Sequence, residues 1–188
     1  MRSLAQKRDQ TVKLVDGLVK KALRSLHRDL PGWYRREQEV VSLFAFGHLV
    51  PLMQKKGIDL GQLCIEGRVR QVEPKRNAKS HRKRRDLDEH AHRDLVLFSK
   101  RHTNYWSPHD QTEKDPIAIM EWKLWTPRGT QSRSAARCDY KTDVLWLTGN
   151  AEMMKVGYGV FVELSDRKPR IECARIAGNN VNENFFVI

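Results

Sequence analysis

Apolar residues in the first part of the chain recur at three- and four-residue steps, the spacing that places side chains on one face of an α-helix. This pattern predicts a helix over residues 4–30, which the Pro31-Gly32 pair ends. Lysines and arginines occupy the other faces of this helix, and we favour packing against the domain over a dedicated role in DNA binding. The apolar positions are Val12, Val15, Val19, Ala22 and Leu26.

A second helix is predicted over residues 33–55, where apolar residues lie on nearly all sides, as in a buried helix. The later apolar segments are short and rich in the β-branched and aromatic residues that strands favour. They predict strands over 62–72, 94–98, 117–125 and 158–164, edge strands over 171–176 and 184–188, and one further helix over 139–149. By alternation, one side of the first strand carries Leu63, Ile65, Gly67 and Val69.

The order of these elements is helix, helix, strand, strand, strand, helix, strand. This order predicts an α/β fold with a central mixed β-sheet flanked by helices, an αβββαβ core with an extra N-terminal helix. We expect residues 1–32 to form an N-terminal helical arm and residues 33–188 to form the domain that carries the chemistry.

The chain has a strong excess of positive charge. Its 35 lysines and arginines oppose 23 aspartates and glutamates, for a net charge of +12. A basic domain attracts polyanions, and contacts to phosphate dominate the affinity for nucleic acids. A generally basic surface without a nucleic-acid partner is the alternative that charge alone leaves open.

The cysteines and the hydropathy pattern exclude several classes of protein. Cys64, Cys138 and Cys173 are far apart and form no CxxC pair, which disfavours a zinc ribbon or finger. We expect them to fill core positions in a reducing compartment. No stretch approaches the roughly 18 apolar residues of a membrane span, so we expect a cytoplasmic protein with no membrane partner.

The segment Ile117–Trp125 holds two charged residues in an otherwise apolar strand. Glu121 and Lys123 are two positions apart, so their side chains point to the same face of the sheet. Buried charge is costly unless it is paired or binds a metal. Taken alone, the Glu-x-Lys pattern also fits a salt bridge at the edge of a sheet.

Asp94 strengthens the chemical interpretation because it begins the preceding apolar strand. Antiparallel pairing of the two strands would place its carboxylate beside Glu121. The two carboxylates and the Trp122 carbonyl would supply hard oxygen ligands, which suit Mg²⁺ or Mn²⁺. Lys123 would add positive charge where a phosphoryl transition state develops negative charge, or would orient or deprotonate the attacking water.

The pattern resembles the PD-(D/E)xK nuclease superfamily, which has the restriction-endonuclease-like fold. The resemblance rests on Asp94 opening one strand and on Glu121-x-Lys123 in the next, with Arg93 where the family name has proline. It implies a catalytic set of Asp94, Glu121 and Lys123, with the metal on Asp94, Glu121 and the Trp122 carbonyl. Residues 99–116 would be an insertion between the two strands.

The resemblance also implies a glutamate on the helix before the sheet. Glu37 is the better match and Glu39 the runner-up, while a solvated acid in the first helical turn is the alternative for either residue. The helix over 139–149 and the strand over 158–164 also follow the order of elements in the family.

Nucleic-acid contacts are expected from basic residues outside this motif. The segment 74–85 has no apolar periodicity and is either a solvated loop or a phosphate-binding one. Its basic residues are Lys75, Arg76, Lys79, Arg82, Lys83, Arg84 and Arg85. Lys141 is a further candidate, a surface lysine being equally plausible, and Tyr105 and Trp106 are candidates for base stacking. His90-x-His92 is a weaker metal motif.

These features predict an endonuclease that hydrolyses DNA phosphodiester bonds with Mg²⁺ or Mn²⁺. RNA remains open as a substrate, and a homodimer or a larger nucleoprotein complex is an expected assembly. The alternatives are a nucleic-acid-binding protein without catalysis and a nuclease subunit of a transposition or repair complex. A site-specific restriction enzyme acting alone is disfavoured because no helix-turn-helix or finger is visible.

Overall fold

Six strands form one mixed β-sheet in the computed structural model, which describes residues 4–30, 36–70, 90–98, 116–165 and 168–188. The helices are α1 (Leu4–Asp29), α2 (Glu37–Ser42), a π-helical segment (Leu43–Leu49), α3 (Val50–Gln54) and α4 (Arg133–Gly149). The strands are β1 (Leu63–Arg70), β2 (His90–Phe98), β3 (Pro116–Trp125), β4 (Val156–Glu163), β5 (Arg170–Ala177) and β6 (Asn180–Val187). The predicted α/β fold with a mixed sheet flanked by helices is confirmed.

The strands lie in the sheet in the same order as in the chain, from β1 to β6. Neighbouring strands are antiparallel except for β3 and β4, which are parallel. A parallel pair needs a crossover connection, and α4 provides it between these two strands. The crossover places α4 beside the strand that carries Glu121 and Lys123.

Several predicted elements differ in detail from the observed ones. Strand β2 begins at His90, so Asp94 lies within it and does not begin it as predicted, and β6 begins at Asn180 and not at residue 184. The segment 171–176 is not an edge strand, because β5 pairs with β4 on one side and with β6 on the other. Helix α4 starts at Arg133, before the predicted residue 139, and the Ser132 hydroxyl caps it by accepting the Ala135 N–H. The first turn of this helix is polar, so the apolar pattern does not indicate where the helix starts. The serine cap stabilises that start.

Apolar side chains form a core on each side of the sheet. One core lies under α1, α2, the π-helical segment and α3, and it takes Leu95 and Met120 from the central strands. The other lies under α4 and takes their neighbours Val96 and Ile119. Successive side chains of a strand point to opposite faces, so β2 and β3 are covered on both sides. This coverage explains their continuous apolar sequences.

Helix α1 packs on the same core as the sheet. Leu23 and Leu26 are fully buried. Asp16 accepts hydrogen bonds from the Tyr158 hydroxyl (2.6 Å) and the Arg175 guanidinium (2.8 Å), which joins the helix to β4 and β5. The favoured packing role of this helix therefore has a structural basis, while the domain boundary after residue 32 stays a prediction.

The alternation expected for β1 breaks at Glu66. This residue has a φ of 51°, in the left-handed region. A Cβ atom at Gly67 would meet Val96 Cγ2 at 2.7 Å and Cys64 Cβ at 3.3 Å, and both residues belong to the core under α4. Gly67 therefore does not share a side with Leu63, which packs against the other core. Only glycine fits so close an approach.

None of the three cysteines forms a disulfide bond. Cys64 and Cys173 are buried as predicted, but Cys138 is exposed on α4, so the expectation of a core position is wrong for it. Within the described ranges, no helix combines the length and the apolar character needed to cross a membrane.

Candidate active site

Four carboxylates and two cationic side chains meet where β2 and β3 separate. Asp94 and Arg93 come from β2, Glu121 and Lys123 from β3, Glu37 from the start of α2, and Asp143 from the middle of α4. The sequence motif therefore comes together in space, and two residues outside the predicted set, Arg93 and Asp143, join it.

The Asp94 carboxylate is held against β3 by a backbone hydrogen bond. The last paired residues of β2 and β3 are Leu95 and Met120. Beyond this pair, the Trp122 N–H donates to Asp94 Oδ2 at 2.7 Å instead of to the neighbouring strand. This hydrogen bond places Asp94 beside the strand of Glu121, as predicted. The Asp94 carboxylate takes the place of the backbone acceptor that β2 no longer provides there.

Glu121 is buried, and it pairs with Arg93. The Arg93 Nη1 donates to Glu121 Oε1 at 2.8 Å, and the two side chains are 12% and 6% exposed. The Arg93 guanidinium also lies over the Trp146 ring, 3.3 Å from its centroid. Among the described residues, the buried Arg93 Nε has no hydrogen-bond partner. Glu121 is therefore part of an arginine–carboxylate–indole contact that spans β2, β3 and α4.

Lys123 lies between two carboxylates from different helices. Its Nζ donates to Glu37 Oε1 at 3.4 Å and lies 3.5 Å from Asp143 Oδ2. The approach to Asp143 is an ion pair without hydrogen-bond geometry, and Asp143 Oδ2 is buried with no hydrogen bond from the described part of the chain. Lys123 is therefore the cation that faces this oxygen.

The helix carboxylate of the site is Glu37. Besides its contact with Lys123, Glu37 accepts the Leu124 N–H at 3.0 Å. Glu39 is exposed and instead accepts the Arg36 N–H at 3.4 Å, as a cap of its own helix. The motif favours Glu37 over Glu39, and the structure agrees, because Glu37 contacts β3 whereas Glu39 caps its own helix.

Close packing of α4 on β4 brings Asp143 to Lys123. Gly159 lies opposite Glu121 in the parallel ladder. A Cβ atom there would meet Val144 Cγ2 at 2.6 Å, nearer than side chains approach. The glycine therefore lets the helix lie close to the sheet, and Asp143, the neighbour of Val144, reaches the site.

The carboxylates repel one another in their buried setting. Burial raises the pKa of Glu121 to about 8, with repulsion from Asp94 and Asp143 adding to the effect and attraction by Arg93 opposing it. Burial likewise raises the pKa of Glu37 and of Asp143, partly offset by Lys123. The site therefore has more carboxylates than its two cations neutralise.

The same charges keep Lys123 protonated. Burial opposes its charged form, but attraction by Glu37, Asp143 and Asp94 outweighs burial and raises the pKa of the ammonium group. A lysine of this kind stabilises negative charge and is poorly suited to remove a proton from water. Of the two roles expected for Lys123, the geometry favours charge stabilisation.

Metal ligation by this cluster stays a prediction. In the described ranges, no group of three or more His, Cys, Asp and Glu side chains is arranged to hold a metal ion. Asp94 is bonded to Trp122 N–H, and Glu121 to Arg93. The donors nevertheless fit Mg²⁺ or Mn²⁺ chemically, because they are carboxylate oxygens in excess over cations, and Asp143 Oδ2 lies 3.5 Å from Lys123 Nζ.

The other predicted contacts with nucleic acid are mostly outside the described residues. This holds for the whole basic segment 74–85, for Tyr105 and Trp106, and for the segment 99–115 between β2 and β3. His90 lies at the start of β2, but its side chain is not described. Lys141 is exposed on α4, two residues before Asp143.

Of the two residues outside the predicted set, Asp143 has a weak signal in the sequence and Arg93 has none. Asp143 lies three residues after Tyr140 and four before Leu147, so helical spacing places it on the buried face of α4. A carboxylate there indicates a partner across the interface. Arg93 carries no such signal, because strand alternation places it opposite to Asp94 and only the divergence of β2 from β3 lets both reach the site.

Comparisons with known proteins leave the family resemblance untested. No protein-family model matches the chain, and the searches of curated proteins and of solved structures also give no match. The function is therefore inferred from the geometry of this cluster and from the charge of the chain.

Proposed function

We propose that the chain is a metal-dependent endonuclease that hydrolyses phosphodiester bonds in DNA. The observation that supports this most directly is the meeting of Asp94, Glu121 and Lys123 where two strands separate, with Glu37 on Lys123. Carboxylates in excess over cations suit a divalent cation, and a protonated lysine beside them suits a phosphate.

Asp94, Glu121 and the Trp122 carbonyl are the ligands we assign to Mg²⁺ or Mn²⁺, with Glu37 and Asp143 beside them. A bound ion of this kind supplies an activated water and neutralises charge on phosphate. The chain itself positions Lys123 between Glu37 and Asp143, so that its ammonium group stabilises charge on the phosphoryl oxygens. The net charge of +12 supports binding to the DNA backbone without regard to sequence.

Cleavage assays with isosteric variants test this proposal. Supercoiled, linear, branched and single-stranded DNA would be incubated with the protein in Mg²⁺, Mn²⁺ or EDTA. We expect cutting that EDTA abolishes, and a loss of roughly 100-fold or more in Asp94→Asn and Glu121→Gln. Arg133→Gln is the control. Arg133 is the first residue of α4, is half-exposed, and pairs with Glu163 of β4 and not with a carboxylate of the cluster.

Two results would contradict the assignment. Unchanged cutting by Asp94→Asn and Glu121→Gln would show that another site performs the reaction. A wild type that binds DNA in a salt-dependent manner but never cuts it would favour the second candidate, a binding protein without catalysis. The Arg93–Glu121 ion pair favours that second candidate, because it engages a carboxylate that the metal needs.

A further inference from the structure

Arg93 is a buried arginine whose charge is paired with a carboxylate of the proposed metal site. Its guanidinium is bonded to Glu121 at 2.8 Å and lies 3.3 Å from the centroid of the Trp146 ring. The side chain is 12% exposed, and Nε has no partner in the described part of the chain. Arg93 is therefore held in place by the Glu121 carboxylate and the Trp146 indole, while one of its buried donors makes no hydrogen bond within the described residues.

The Glu121 carboxylate is needed by two cations. In the proposed function it is a ligand of the divalent ion, and in the structure it is the counter-ion of Arg93. A positive charge within a few ångströms of a cation site lowers the affinity of that site, and the effect is strong where solvent is excluded. Glu121 is 6% exposed, so solvent does not screen this competition.

We infer that Arg93 is an internal counter-ion that competes with the divalent cation for Glu121 and so keeps the cation affinity of the site low. Arg93 is a positioning residue in this account, because it acts through Glu121. The inference rests on the proposed function, since it assumes that Glu121 binds the cation. It adds a consequence that the proposed function lacks, namely that removal of a positive charge improves cation binding.

Mn²⁺ binding, followed by the electron paramagnetic resonance signal of the free ion, tests the inference without any assay of activity. We expect Arg93→Gln to bind Mn²⁺ roughly tenfold more tightly than the wild type, and Arg93→Lys, which keeps the charge, to stay near the wild type. Arg137→Gln is the matched control, because Arg137 also pairs with a glutamate and lies over an aromatic ring. It should leave Mn²⁺ affinity unchanged.

A second measurement avoids dependence on the folding of Arg93→Gln. The Nε–H resonance of Arg93 would be assigned by its loss in Arg93→Lys and followed in the wild type during titration with Mg²⁺. We expect this resonance to shift with the same midpoint as cation binding, while that of Arg137 stays in place.

The outcomes separate the inference from the proposed function. If Glu121→Gln abolishes Mn²⁺ binding but Arg93→Gln binds no more tightly than the wild type, the inference is overturned and the metal site stands. A static Arg93 resonance during Glu121-dependent binding would overturn it as well. If Glu121→Gln binds Mn²⁺ as well as the wild type does, the assignment of the metal to Glu121 fails.

Discussion

Two arginine–carboxylate–aromatic contacts lie along helix α4, and they differ in charge environment. Arg93 pairs with Glu121 and lies over Trp146, whereas Arg137 pairs with Glu172 and lies over Phe161. The chemistry of the two groups is the same, but burial raises the pKa of Glu121 to about 8, whereas hydrogen bonding from Arg137 lowers the pKa of Glu172.

The neighbours of each pair explain the difference. Glu172 forms ion pairs with Arg137 and Arg170, and the charge of Arg133 also stabilises its ionised form. Its charged neighbours are therefore mainly cations. Glu121 is more deeply buried, and its other charged neighbours are Asp94 and Asp143. One contact is a satisfied structural pair, whereas the other is part of a cluster with excess negative charge, the arrangement expected where a cation acts.

The largest expected difference between the two groups is in catalysis. Lys123→Met removes the ammonium group between Glu37 and Asp143, and we expect it to reduce DNA cleavage roughly 100-fold with the fold retained. Lys168→Met, at an exposed position before β5, should cut like the wild type. Initial rates at saturating metal, with circular dichroism of each variant, measure the effect. Equal rates for the two variants would remove Lys123 from the mechanism.

The second difference is in stability. Arg137→Met breaks the two hydrogen bonds to Glu172, and we expect it to lower the free energy of unfolding by about 2 kcal/mol. Cleavage should remain near the wild-type rate, because this pair lies outside the cluster of carboxylates. Urea denaturation gives the free energy, and Lys168→Met again provides the control. A large loss of cleavage without loss of stability would mean that the two groups are not functionally separate.

The smallest expected difference is in pH dependence, measured in EDTA. Burial raises the pKa of Glu121 to about 8 in the folded protein, whereas the unfolded chain has the ordinary pKa of 4.5. The contribution of protonated Glu121 to the free energy of unfolding is therefore fully present below pH 4.5 and is lost as the pH rises toward 8. Glu121→Gln lacks this loss, so its melting temperature should rise relative to wild type between about pH 5 and pH 8.5.

Glu172→Gln should show the opposite trend in the same experiment. The lowered pKa of Glu172 means that its ionised form stabilises the fold above the ordinary value, and this contribution is lost as the pH falls. The variant should therefore differ most from the wild type near neutral pH and least in acid. Parallel curves for the two variants would contradict the contrast between their environments.

Much of the fold and of the candidate site could be predicted from the sequence, because local spacing carried the information. The continuous apolar residues of the segment Ile117–Trp125 indicated the strand, and Glu121 and Lys123 stand two residues apart in it. Asp94 followed from the preceding apolar segment, and the order of helices and strands indicated the mixed sheet. These conclusions depend on side-chain periodicity, which each segment determines alone.

What only the tertiary structure decided depends on contacts between segments. The choice of Glu37 over Glu39 required the path of α2 across β3, and the entry of Asp143 required the close approach of α4 that Gly159 permits. Arg93 enters the cluster because β2 and β3 are separated on the Arg93 side of the Leu95–Met120 pair. A residue's own neighbours in sequence do not reveal such partners, because the charge that meets a side chain comes from distant parts of the chain.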